Sequence, residues 1–225
     1  MPAFRPILAG AQFGDRLRAG LGAVCGILFT GLIAALATHA GTSPLLVAPI
    51  GASAVLVFAV PASPLAQPWS VIGGNSVSGL WALLVVALVP HTALAAAIAV
   101  GGAIVVMSLA RCLHPPGGAV ALSVVLLTAA HTPASLWFPL SPVALDSALL
   151  VLAGLAFHRV SGHAYPHRVA PVPASPFTDG DIDAALADMH ETFDIAREDL
   201  DALLARAAHH ARVRQAPPAR STPRR

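Results

Sequence analysis

The chain has 225 residues, of which 56% are hydrophobic and only 11% are charged. Soluble proteins carry roughly 25% charged residues, so this composition excludes an ordinary soluble protein and indicates a membrane protein. The formal net charge of +2 is too small to indicate a nucleic-acid partner.

Between positions 19 and 158 the only charged residues are Arg111 and Asp146, and six apolar segments can be distinguished. They cover residues 20–38, 45–60, 71–89, 94–110, 117–130 and 143–157. A helix needs about 20 residues to cross the hydrocarbon core, so the first, third and fourth segments are long enough, whereas the second and fifth are short. We therefore predict an all-α polytopic membrane protein with its transmembrane domain at residues 19–160.

The placement of the arginines predicts the orientation of the chain. With six crossings and the N-terminus inside, the arginines near the membrane all lie on the cytoplasmic side. Residues 1–18 are then a cytoplasmic segment, and both termini are cytoplasmic. An alternative with four full spans, in which the second and fifth segments only dip into the membrane, also keeps both termini inside, so the arginines do not separate the two.

Prolines and glycines interrupt the second and fifth segments at matching positions. Pro115 and Pro116 break the helical path, and a new helix can begin at Pro116 because its missing N–H costs nothing there. Pro49 aligns with Pro115, and Gly51 aligns with Gly117. Broken helices at corresponding positions of two halves mark the binding site in inverted-repeat transporters. An inverted 3+3 repeat is one interpretation, and chance similarity in an Ala-, Gly- and Pro-rich chain is the other.

The second of these breaks carries most of the polar chemistry of the membrane domain. Arg111 can hold an oxyanion through two N–H groups, or it can end its helix and extend to the lipid headgroups. Helix N-termini at Gly51 and at Gly117 and Gly118 would add backbone donors for an anion. His114 either titrates and couples proton movement or is a hydrogen-bonded structural imidazole.

Three further polar residues complete the predicted binding site. Ser53 and Asn75 can line a polar cavity, although the small residues around Asn75 also favour close helix packing. Asp146 either caps the sixth helix, joins His114 in a proton relay or forms a charge pair with Arg111. The two cysteines and the histidines lack ligand spacing, so we predict neither a metal site nor a cofactor.

The composition changes after Arg159. Residues 161–177 are a Pro-rich linker, and residues 178–213 carry apolar side chains at alternating spacings of four and three. This heptad pattern predicts a cytoplasmic amphipathic or coiled-coil helix that pairs with a copy of itself or with a partner protein. Residues 214–225 are rich in proline and arginine and are predicted to be disordered.

Three runs, at residues 48–55, 64–75 and 111–122, resemble the HPP family of integral membrane proteins, which is named for the tripeptide seen here as His114-Pro115-Pro116. The resemblance covers approximately residues 16–158. It implies a multi-span protein, here of a bacterial inner membrane, and a chloroplast and cyanobacterial branch of the family is linked to nitrite transport. Several bacterial members continue from an acidic heptad helix into cytoplasmic CBS domains, whereas this chain resembles a member without them.

Together these features favour a permease for a small inorganic, nitrite-like anion that is bound between two broken helices in a lipid bilayer. The alternative is a non-transporting scaffold or sensor that recruits a partner protein through its C-terminal helix. An intramembrane enzyme using His114 and Asp146 is least favoured, because the chain has no nucleophile motif. We therefore expect no enzymatic activity.

Overall fold

Helices account for all regular structure in residues 12–38, 46–169, 171–190 and 192–215, which are the residues that the computed structural model describes. The chain divides into two units, at residues 1–167 and 168–225. Most of the predicted N-terminal segment 1–18 and of the predicted disordered tail 214–225 lies outside the described residues. The described parts are helical, since α1 begins at Phe13 and the last helix extends to Gln215.

The first unit contains six apolar helices, and the prediction of an all-α polytopic protein is confirmed. The helices are α1 (Phe13–Thr38), α2 (Pro49–Ala59), α3 (Pro68–Leu88), α4 (Thr92–Leu109), α5 (Pro115–Ala129) and α6 (Leu145–Ser161). A short 3₁₀ turn, Pro64–Ala66, precedes α3, and a π-helical turn, Pro139–Ala144, precedes α6. α2 begins at Pro49, as predicted, whereas α5 begins at Pro115, one residue before the predicted start at Pro116.

Four stretches in the described residues are long and apolar enough to cross a membrane, namely Phe13–Leu36, Pro68–Leu88, Thr92–Leu109 and Pro139–Ser161. α2 and α5 have 11 and 15 residues. At a rise of 1.5 Å per residue they are about 17 and 23 Å long, which is less than the hydrocarbon thickness of about 30 Å. Neither helix is therefore long enough to cross the hydrocarbon core by itself.

Successive helices run in opposite directions. Arg16 near the start of α1 donates to the carbonyl of Ala59 at the end of α2, at 3.1 Å. Trp69 at the start of α3 donates to the carbonyl of Ala110 just after α4, also at 3.1 Å. α5 runs parallel to α3, and α6 runs antiparallel to α1. The chain thus passes along the bundle six times, which fits six crossings better than segments that dip in and return.

The third helix of each half packs against the first two helices of the other half. α3 lies against α4 and α5, whereas α6 lies against α1 and α2. An apolar cluster that includes Met107 fills the α3–α4–α5 interface, and a second one that includes Leu150 fills the α1–α2–α6 interface. Two interlocked repeats of opposite orientation would pack in this way, so the packing favours the inverted 3+3 repeat over chance similarity.

The second unit does not contain the single continuous helix that the heptad pattern predicts over residues 178–213. It has α7 (Asp179–Met189) and α8 (Arg197–Gln215) instead. His190 has a φ of 53° and ends α7 in the left-handed conformation, which cannot continue a right-handed helix. The heptad spacing persists on both sides of this break, which is why the sequence pattern did not reveal it.

Arg197 links the start of α8 to α7. Its guanidinium donates to the carbonyl of Asp179 at 3.0 Å and to the carboxylate of Asp183. It also donates to Asp201 within α8, at 3.0 Å. Acidic residues that the heptad pattern places on a solvent-facing surface are therefore used to join the two helices. Exposed pairs of this kind each contribute little to stability, so the arrangement depends on several of them together.

α7 begins with a capping box formed by Thr178 and Asp181. The Asp181 carboxylate accepts from the backbone N–H of Thr178 at 2.8 Å, and Thr178 Oγ1 accepts from the N–H of Asp181 at 3.4 Å. The bonds from the Thr178 backbone and hydroxyl hold the pKa of the Asp181 carboxyl below its usual value. A lowered pKa stabilises the helix start above the unfolded pKa, and this stabilisation is lost as the pH falls through the folded pKa.

We expect hydrogen-exchange protection of the first turn of α7 to be constant above about pH 5 and to decrease as the pH falls through about 4 and below. Asp181→Asn should remove most of this pH dependence, because the amide does not titrate. The control Asp188→Asn, farther along α7, should retain it. Mass spectrometry on the intact protein, corrected for intrinsic exchange rates, measures the effect. The same pH dependence in both variants would contradict the role of the capping box.

Candidate functional site

Four polar side chains form a hydrogen-bonded group inside the helix bundle. Ser53 of α2, Asn75 of α3, His114 before α5 and Ser147 of α6 are all fully buried, with 0% exposure. Ser53 Oγ lies 2.8 Å from His114 Nε2. Asn75 Nδ2 donates to Ser53 Oγ at 3.2 Å and to Ser147 Oγ at 3.0 Å. We call these four residues the polar cluster. They come from helices of both apolar clusters and therefore connect the two parts of the bundle.

The imidazole of His114 is held by hydrogen bonds at both ring nitrogens. Nδ1 lies 2.7 Å from the carbonyl oxygen of Leu65 in the 3₁₀ turn. Because a carbonyl can only accept, Nδ1 carries a hydrogen. In the neutral ring Nε2 is then an acceptor, and the Ser53 hydroxyl is its donor. The extended backbone of His114, with φ −144° and ψ 107°, is what a following proline imposes, and it turns the ring away from the α5 axis toward α2.

Two buried oxygen atoms next to this network have no hydrogen-bond partner among the described residues. One is Oδ1 of Asn75 and the other is Oδ1 of Asp146. The second oxygen of Asp146 accepts from the backbone N–H of Val47 at 3.1 Å, so that α6 is tied to the residues just before α2. Buried polar atoms are nearly always paired, and a vacant acceptor in an apolar core is therefore a place where a bound donor would be stabilised.

Glycines allow α3 and α5 to approach each other at the polar cluster. A Cβ atom added at Gly74 would lie 2.5 Å from the carbonyl oxygen of Cys112 and 2.6 Å from Cβ of His114. A Cβ atom at Gly117 would lie 2.6 Å from Ser78 Oγ. The small residues around Asn75 thus allow close helix packing, as one interpretation of the sequence predicted. Asn75 also belongs to the polar cluster, so the two interpretations hold together.

The predicted amide donors at the helix N-termini are already engaged. Pro115 and Pro116 have no N–H, and the N–H of Gly117 donates to the carbonyl of His114 at 2.8 Å. The N–H of Gly51 donates to the carbonyl of Ala48 at 3.1 Å. Within the described residues, these first turns therefore form ordinary helical and 3₁₀ bonds, and the structure does not support the expectation that the two helix ends offer free N–H groups to an anion.

Arg111 does not join the polar cluster. It is exposed, follows the end of α4 and has a φ of 53°. Gly51 and Pro115 are also exposed, and Gly118 is half-buried. Of the other predicted residues, the structure buries the following: Pro49, Ser53, Asn75, His114, Pro116, Gly117 and Asp146. The predicted convergence of a guanidinium and an imidazole on one buried spot is thus not observed, because the chain turns at Arg111 toward the surface.

Sequence reasoning missed Ser147 and the carbonyl of Leu65. Ser147 follows Asp146 directly, and a small polar residue beside the only acidic residue of an apolar helix is a signal that could have found it. Leu65 contributes through its backbone alone, so its residue type carries no signal. Only the packing of the 3₁₀ turn under His114 reveals this contact.

The chemistry available to the polar cluster is that of neutral hydrogen bonding and proton exchange. In the described part of the chain, His114 in the cluster and Asp146 on α6 are buried titratable groups, and no arginine is buried. Across the described part of the chain, no three His, Cys, Asp or Glu side chains are grouped so that they could hold a metal ion. A permanent cation is therefore absent from the polar cluster.

A cavity of about 290 Å³ opens at the end of the bundle where α3 ends and α4 begins. Val89, Thr92, Val125 and His131 are among its lining residues. The α3–α4–α5 interface beyond this cavity combines small and larger apolar side chains, among them Ala82, Ala99, Ala103, Val85, Met107 and Val124.

Residues 9–166 match the family model described as HPP, transmembrane region. A transmembrane protein of Dictyostelium discoideum is 37% identical over 139 residues, which cover 60% of this chain and 44% of the relative. A second transmembrane protein of the same organism is 45% identical over 85 residues, which cover 36% of this chain and 30% of the relative. The matches thus span less than half of these relatives. No solved structure matches.

Proposed function

From the premise that this chain belongs to the HPP family of membrane proteins, we propose that it is a permease for a small inorganic anion, with nitrite as the first candidate. The proposal places it in a bacterial inner membrane with both termini in the cytoplasm, as the positions of the arginines favour. It involves no chemical conversion of the anion. The C-terminal unit associates with a second copy or with a partner protein.

The observation that carries the proposal is the polar cluster itself. Ionisable and polar groups inside a membrane domain are costly and are usually functional. Here they lie where two proline-initiated helices meet, since Ser53 of α2 contacts His114 just before α5. Broken helices at the midplane are the usual site of solute binding in transporters built from inverted repeats.

An anion bound at the polar cluster needs a compensating positive charge. α2, α3, α4 and α5 contain no charged residue, so that charge must come from His114 in its protonated form. Asp146 on α6 is the second ionisable group of the relay. Arg111, which is exposed, then acts at the mouth of the pathway, where a guanidinium attracts anions before they enter.

The first test measures uptake of nitrite, nitrate and formate into liposomes that contain the purified protein, with protein-free liposomes as the blank. We expect nitrite uptake above the blank, and we expect Arg111→Ala to lower uptake roughly two- to tenfold at low salt through a higher KM. Arg159→Ala, an exposed arginine at the end of α6, is the matched control and should change uptake less. Absence of uptake for every anion would reject the permease.

A scaffold or sensor is the second candidate, and exposed apolar residues of the C-terminal unit favour it. Met189, Phe193 and Leu203 are 55%, 42% and 59% exposed, which suits a protein partner better than water. A truncation after His167, where the first unit ends, distinguishes the two candidates. A permease should keep its flux, whereas a scaffold should lose its partner.

A further inference from the structure

We propose that the Ser53 hydroxyl is a two-way hydrogen-bond switch that lets His114 gain and lose one proton inside the membrane domain, so that each anion crosses together with one proton. This inference rests on the permease function proposed above and adds the coupling ion and the residue that permits coupling. Ser53 acts here as a positioning residue, and His114 carries the proton.

Only one nitrogen of His114 is free to change its protonation. Nδ1 must keep its hydrogen, because its partner at 2.7 Å is the carbonyl oxygen of Leu65. Proton gain and loss therefore take place at Nε2, which faces Ser53 Oγ at 2.8 Å. The tautomer is fixed by the 3₁₀ turn, and the titrating nitrogen is directed at a group that can either donate or accept.

The surroundings of Ser53 provide a partner for its hydroxyl hydrogen in both states. When His114 is neutral, the hydroxyl donates to Nε2. When His114 is protonated, Nε2–H donates to Ser53 Oγ, and the hydroxyl turns to the carbonyl of Pro49, which lies 3.3 Å away. Asn75 Nδ2 donates to the same oxygen in either state, at 3.2 Å. Neither state leaves a buried donor without an acceptor, so the proton adds a charge without breaking the network.

The charge itself requires an anion nearby. The titratable groups to consider are Cys112, two residues before His114, and Asp146 on α6, which precedes Ser147 of the polar cluster in the sequence. Asp146 makes its hydrogen bond to Val47 rather than to the ring, and α2 to α5 present no charged side chain. A buried unpaired charge is strongly unfavourable. Proton binding and anion binding therefore stabilise each other, and by linkage the coupling is reciprocal.

The experiment separates the driving forces in liposomes that contain the full-length protein, with nitrite as the probe. One arm imposes an inward proton gradient while valinomycin and equal potassium hold the membrane potential at zero. The other arm imposes an inside-positive potential without a proton gradient. Protein-free liposomes correct for leak of the undissociated acid. We expect accumulation in the first arm and none in the second, since a proton and an anion together carry no net charge.

The variants test the switch. Ser53→Ala should lower gradient-driven uptake roughly tenfold, as expected when a protonated ring loses one hydrogen bond, and Ser53→Thr, which keeps the hydroxyl, should restore most of it. Ser123→Ala is the matched control, because its hydroxyl makes the same bond to a carbonyl four residues earlier, that of Ala119. Elution as a single species in detergent verifies that each variant is folded.

Each outcome decides the inference. Accumulation driven equally by the inside-positive potential would show that the bare anion crosses, which overturns the coupling but leaves the permease intact. Unchanged gradient dependence in a folded Ser53→Ala variant would overturn the switch. Absence of uptake in both arms would reject the permease, and the inference with it.

Discussion

His114→Ala is expected to be among the most damaging single substitutions in the first unit, with a loss of about 2–4 kcal/mol in the free energy of unfolding. The substitution removes a fully buried ring and leaves the Leu65 carbonyl without its partner, whereas the Ser53 hydroxyl can turn to the carbonyl of Pro49. Polar contacts inside membrane proteins are individually modest, so most of the loss comes from the cavity. Proton-coupled uptake should disappear.

Comparing His114→Ala with His114→Asn separates the effect of the lost ring from the effect of the lost bond to Leu65. In His114→Asn the side-chain amide can replace Nδ1 and keep the bond to Leu65, so we expect a loss of only about 1 kcal/mol, although uptake should still fail without a titrating nitrogen. His91→Ala, at an exposed histidine before α4, is the control and should lie within about 0.5 kcal/mol of the wild type. Unfolding in a defined detergent gives the stabilities. Uptake by a folded His114→Asn variant at the wild-type rate would contradict the role of the ring.

The sequence predicts the backbone of this site well, because proline and glycine act locally. Pro49 and Pro115 begin α2 and α5, and the residue before Pro115 is extended, as steric rules require. The six apolar segments appear as helices for a similar reason, since a membrane leaves few alternatives for a long apolar run. The fold class and the breaks follow from rules that act over a few residues.

The partners of the polar side chains could not be predicted, because they depend on packing between distant parts of the chain. Ser53 and His114 are 61 positions apart, and no spacing rule connects them. Arg111 was a candidate for binding an anion at the same proline break as His114, with an exposed position near the headgroups as the alternative. The left-handed turn at Arg111 places its side chain at the surface, in agreement with the alternative. The Leu65 carbonyl is invisible to any argument from residue type. The residues of the site were therefore easier to predict than its geometry.

In the C-terminal unit, too, features set by neighbouring residues could be predicted from the sequence, whereas contacts between distant residues could not. Thr178 starts α7 through a capping box, which a local pattern predicts. The end of α7 at His190 depends on a single residue in the left-handed conformation, and the apolar spacing is compatible with either one helix or two. Arg197, with its bonds to both helices, is what favours two helices. Its contacts with α7 join residues 14 and 18 positions apart, which no local pattern predicts.

Gly74→Ala is expected to destabilise the first unit by about 1–3 kcal/mol or more, through crowding rather than through lost hydrogen bonds. The added Cβ would meet the backbone oxygen of Cys112 at 2.5 Å and Cβ of His114 at 2.6 Å. Neither atom belongs to the flexible end of a side chain, so α5 and the chain before it must move away from α3. That movement pulls His114 away from Ser53, and uptake should fall together with stability.

Gly101→Ala is the matched control for this change. Gly101 lies within α4, and a Cβ there would meet no atom within 4 Å. Alanine favours a helix over glycine by roughly 0.5–1 kcal/mol, so this variant should be as stable as the wild type or slightly more stable, with uptake retained. Thermal unfolding in detergent and nitrite uptake are measured on both variants. If Gly74→Ala behaved like Gly101→Ala, α3 and α5 could not be in contact at His114, and the polar cluster would be open rather than closed.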